Sequence, residues 1–87
     1  MAKYDPLFEF LCRAEDGPVE LTFGQIEILV GELPASATEH AAWWANEAEG
    51  GGHVQARAWL NAGREIEWVD RGQQRVRFSA AGWRRGS

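Results

Sequence analysis

The chain has 87 residues, of which 45% are hydrophobic and 25% charged, with a formal net charge of −4; this describes one domain over 1–87, with a compact part at about 4–79 and a partly disordered tail over 80–87. Its single cysteine excludes an internal disulfide framework and any multi-cysteine zinc site. No apolar run approaches the ~20 residues that span a bilayer, and the start Met1-Ala2-Lys3-Tyr4-Asp5 lacks a signal-peptide core, so a cytoplasmic protein with no membrane partner is expected.

Asp5-Pro6 opens the first predicted helix, with Asp5 as N-cap and Pro6 at the first helical position. Leu7, Phe10, Leu11 and Ala14 recur at helical spacing as one apolar stripe, and Cys12 reads as a small core residue. Glu15-Asp16-Gly17-Pro18 ends the helix, and Val19-Glu20-Leu21 alternates as a short strand. Thr22 and Gln25 form a capping box for a second helix with the stripe Phe23, Ile26, Leu29 and Val30, stopped by Gly31. Ser36 and Glu39 form another box, starting a third helix predicted to run through His40, Trp43 and Trp44.

A loop from Asn46 to Gly52 precedes a fourth helix that starts at His53, turns Ala56, Trp59 and Leu60 inward and stops at Gly63. Period-two alternation in 65–69 and 75–78, around Asp70-Arg71-Gly72-Gln73, predicts a β-hairpin. Pairing Ile66 with Phe78 and Trp68 with Val76 makes one apolar face, and sets Glu67 opposite Arg77 on the other. The fold expected is thus α+β and winged-helix-like: four helices, a C-terminal hairpin, and a first strand completing a small antiparallel sheet. Phe10, Phe23, Trp59, Trp68 and Phe78 are assigned to its core, leaving Phe8, Trp43, Trp44 and Trp83 only partly explained.

The motifs of catalysis are missing. His40 and His53 have no cysteine partner at metal spacing and no HExxH arrangement, so neither a metal nor another cofactor is expected; His40 reads as packed or capping, His53 as a cap or ligand contact. Gly50-Gly51-Gly52 lacks the Lys and Ser/Thr of a phosphate loop, and no Gly-x-Ser-x-Gly occurs. A non-enzymatic protein is expected.

The net charge conceals a division. Residues 1–52 hold two basic and ten acidic groups, giving −8, while residues 53–87 hold seven arginines against Glu65, Glu67 and Asp70, giving +4. Asn46, His53, Gln55, Arg57, Asn61 and Arg64 cluster around the fourth helix and, with Arg75 and Arg77 on the hairpin, are the residue types that contact bases and phosphates. The third helix carries Glu39, Glu47 and Glu49 and would be repelled by phosphate, so any DNA contact falls to the fourth helix and hairpin. Conversely, an acidic helical half with an exposed tryptophan among Trp43, Trp44 and Trp83 suits a protein interface.

Taken together, Tyr4-Asp5-Pro6-Leu7, Leu21-Thr22-Phe23 with Gln25-Ile26-Glu27, and Leu33-Pro34-Ala35-Ser36-Ala37 with His40 and Trp43-Trp44-Ala45-Asn46 resemble a family of small bacterial domains of unknown function. Gln55-Ala56, Ala58-Trp59-Leu60, Ala62-Gly63, Val69-Asp70, and Val76 with Phe78 extend the resemblance over about residues 4–79. It implies a compact α+β bacterial domain from a genome with mobile or phage-derived genes. It also implies basic residues around His40 and an aromatic after Gly63, where this chain has Thr38, Glu39, Ala41 and Arg64. Two functions follow as expectations: a winged-helix-like DNA-binding domain, or a protein-interaction module, such as an adaptor or a DNA-mimicking phage-type inhibitor.

Overall fold

The computed structural model describes residues 3–46 and 55–80. In chain order it runs α1 (Asp5–Arg13), β1 (Val19–Thr22), α2 (Phe23–Val30), α3 (Ser36–Glu39), a 3-10 turn (Ala41–Trp44), α4 (Ala56–Leu60), β2 (Ile66–Asp70) and β3 (Arg75–Phe78). The architecture is a small α+β domain in which, among the described residues, four helices pack beside a three-stranded antiparallel sheet of order β1-β3-β2.

Helix α2 follows its local code closely. Thr22 Oγ1 accepts from Gln25 N–H and Gln25 Oε1 accepts from Thr22 N–H, while Gly31, at φ 89°, closes the helix in the left-handed region that glycine tolerates. Helix α1 starts one residue earlier than expected: Tyr4 is the N-cap, without a side-chain cap bond, and Asp5 lies in the first turn, where its charge complements the helix dipole. Its buried face is narrow, consisting of Leu7 and Leu11, four residues apart. Phe10 and Cys12, each about 100° around the helix from Leu11, are both exposed, which corrects their assignment to the core.

The predicted third helix is broken. α3 lacks the expected capping box, ends at Glu39, and gives way to extended backbone at His40, which is itself exposed. The chain then re-enters a 3-10 turn. On one straight helix Trp43 and Trp44 would point about 100° apart. The break lets each find its own partners: Trp44 is 3% exposed and donates its indole N–H to Ala37 C=O at 2.8 Å, while half-buried Trp43 meets the Tyr4 ring edge-on at 6.1 Å. Phe23, Trp44, Trp59 and Phe78 form a chain of aromatic contacts at 4.9, 6.1 and 5.8 Å, linking α2, the 3-10 turn, α4 and β3 through the core.

The hairpin forms with one register correction. Ile66 pairs with Phe78 as expected, but Glu67 is the extra residue of a bulge, so that Trp68 pairs with Arg77 and Val69 with Val76. One inserted residue reverses the side-chain alternation beyond it. Trp68 is consequently 40% exposed instead of lying on the inner face, and Val69 takes its place. β1 adds to the outer edge of β3, with Leu21 opposite Val76, and Phe23 N–H bonds to Gln74 C=O at 2.8 Å, joining α2 directly to the hairpin turn.

Candidate functional site

The polar residues expected to form a contact face are divided by the fold between internal braces and open surface. Arg64 is the most changed. It is 0% exposed, and its guanidinium donates to Leu11 C=O at 3.1 Å, Glu15 C=O at 2.7 Å, Gly17 C=O at 2.9 Å and Ser79 C=O at 3.1 Å. These acceptors lie in the last turn of α1, in the turn that follows it and just beyond β3. A planar fork of fixed donors suits such a set better than an ammonium would. Burial draws the Arg64 pKa down, and Asp16 and then Cys12 pull it back up. This removes Arg64 from any nucleic-acid contact face: its donors are spent on the backbone.

Gln55 and Asn46 are also braces. Gln55 is buried and donates to Trp43 C=O at 2.8 Å. Asn46 Oδ1 accepts from Trp59 Nε1 at 3.0 Å and from Ile66 N–H at 2.8 Å, while Nδ2 donates to Ile66 C=O at 3.1 Å. The hairpin arginines remain on the surface but are paired. Glu20 on β1 receives Arg75 at 3.0 Å and Arg77 at 3.1 Å, and Arg77 also reaches Glu67 at 2.8 Å. Arg71 donates to Glu39 C=O at 2.9 Å. The role of Glu20 was not assigned from sequence; its signal is alternation, which puts Glu20 and Glu67 on the same outer face as Arg75 and Arg77.

Two of the expected contact residues, Arg57 on α4 and Asn61 at its C-terminal cap, stay exposed, one turn apart. They line an open groove of about 630 Å³ with Ala58 and with Lys3, Tyr4, Asp5 and Phe8 from the start of α1. His53 and Trp83 lie outside the described residues. Trp44 is core and Trp43 half-buried, so neither is a freely exposed anchor.

Among the described residues three large apolar side chains are exposed: Ile28, off the α2 stripe, at 84%, Phe10 on α1 at 38%, and Trp68 on β2 at 40%. Phe10 lines a second groove, of about 320 Å³, with Pro6, Glu9, Arg13 and Ala14 of α1 and Leu29 of α2. Glu9, Glu15, Glu27 and Glu32 on and beside this helix pair are exposed, and among the described residues none forms an ion pair. Among the described residues no group of three or more His, Cys, Asp or Glu is arranged to hold a metal ion, and no helix is long and apolar enough to cross a membrane.

The chain belongs to the family described as Domain of unknown function (DUF7662), whose model matches residues 4–81. The match agrees with the sequence resemblance to a family of small domains of unknown function. No curated protein and no solved structure matches the chain.

Proposed function

We propose that the domain is a non-enzymatic protein-interaction module that offers the acidic, partly apolar side of α1 and α2 to a basic partner surface. The observation that carries this reading is the contrast between the two halves. Arg64, Arg75 and Arg77 are engaged inside the domain, whereas Glu9, Glu15, Glu27 and Glu32 form no ion pair among the described residues, and Glu9 and Glu27 directly precede the exposed Phe10 and Ile28 in sequence. Negative charge near exposed apolar side chains steers and orients a partner of opposite sign, and the desolvated apolar groups supply affinity. The anchors of this reading are Phe10 and Ile28 on the acidic helices, since the exposed Trp68 stands on β2.

Binding to DNA through a winged-helix-like arrangement is the second reading. The order of elements and the addition of β1 to the C-terminal hairpin favour it. It requires Arg75 and Arg77 to exchange Glu20 and Glu67 for phosphate, which lowers the gain per contact.

Affinity capture from the source cells, run with wild type and with the Phe10→Ser, Ile28→Glu double variant, separates the two. The interaction reading expects a partner retained by wild type and lost by a variant that still unfolds cooperatively, with no gel shift of mixed duplex DNA at low salt. Equal capture by both proteins overturns it, as does wild-type DNA binding that falls steeply with added salt.

A further inference from the structure

The groove between α1 and α4 has the composition of a small-molecule site, distinct from the α1–α2 surface. Its volume of about 630 Å³ falls within the range of pockets that hold small organic ligands. Tyr4 and Phe8, four residues apart on α1, and Ala58 on α4 supply an apolar lining. Its polar groups differ from those elsewhere in the domain. The Arg57 guanidinium and the Asn61 amide have no hydrogen bond or ion pair among the described residues, although Arg64, Gln55, Asn46, Arg71, Arg75 and Arg77 are all engaged.

Lys3 adds a second positive charge that is already fixed in place: its ammonium donates to Val30 C=O at 2.9 Å and stands 5.9 Å from the centre of the Tyr4 ring. Asp5 lies on the same rim. A guanidinium fork with free N–H groups binds a carboxylate through two parallel hydrogen bonds, and an adjacent amide donates a third. An aromatic body of the ligand would then lie against Tyr4 and Phe8.

We propose that this groove binds a small organic monoanion, an aryl-substituted carboxylate, with Arg57 and Asn61 holding the carboxylate and Tyr4, Phe8 and Ala58 receiving the ring.

The test is an amide-resolved NMR titration of the intact chain with 3-phenylpropionate and its neutral amide 3-phenylpropionamide. The expected result is saturable shifts at Tyr4, Phe8, Ala58 and the Arg57 Nε–H with a Kd of about 1 mM or tighter. The amide binds at least about tenfold more weakly, and Arg57→Gln loses affinity for the acid to the level of the amide while Arg57→Lys keeps part of it. Absence of saturable shifts, equal binding of acid and amide, or an unchanged Arg57→Gln titration overturns the proposal. The comparison of acid with amide uses wild type alone and so holds whatever the variants do.

Discussion

Asn46 and Trp59 are joined by a hydrogen bond from the indole N–H to the amide oxygen at 3.0 Å, and the same oxygen receives the Ile66 N–H that opens β2. One side chain thus fixes the deepest tryptophan of the core to the edge of the sheet. An indole N–H sealed in a core without an acceptor costs about 1–3 kcal/mol. Asn46→Ala is expected to lower stability by that amount, read from the urea midpoint at constant m-value. Asn46→Ala and Trp59→Phe should also be non-additive, since each removes the same bond.

Arg64 ties the end of α1 and the following turn to the residue after β3. Replacing a buried ion by an apolar residue is often tolerated, but only when its partners are also removed. Here four carbonyls would remain without their donor. Arg64→Met is expected to cost about 3–5 kcal/mol, a large part of the stability of a small domain. Arg64→Lys should recover only part of this, because three donors on one nitrogen cannot span the same acceptors. Urea unfolding of the three proteins checks the order.

The ion pairs of Glu20 and Glu67 are partly exposed, so their loss should change stability by only about 1 kcal/mol or less each. Their effect on charge is larger: Glu20→Gln with Glu67→Gln frees Arg75 and Arg77. The double variant is expected to gain weak, non-specific duplex binding that wild type lacks, with log K falling against log salt at a slope of roughly 2. Gel shifts at two salt concentrations read this directly. Equal binding by wild type would favour the DNA reading.

Burial raises the Tyr4 pKa above its ordinary value of about 10. Above that value the unfolded chain releases the phenolic proton while the folded chain still holds it. The stability this group contributes is therefore complete below pH ~10 and is lost as pH rises through the folded pKa. Tyr4→Phe removes the titration. The difference between wild-type and variant unfolding midpoints should be flat up to about pH 10 and then fall as pH increases.

The sequence by itself determined α2 and its two caps, the place of β1, the existence of the hairpin and the burial of Phe23, Trp59 and Phe78. These rest on signals within a few residues of one another, namely a capping box, a stop glycine and period-two alternation. Only the tertiary structure decided the break at His40, the bulge at Glu67 and the burial of Arg64. The break accommodates two adjacent tryptophans that need different walls, and the bulge replaces Trp68 with Val69 on the inner face. The bonds that hold Arg64 join residues 15 to 53 positions apart. An arginine looks alike in sequence whether it faces solvent or four carbonyls, because what separates the two outcomes is the arrival of distant backbone, and that exists only once α1, β3 and the turn after α4 have packed.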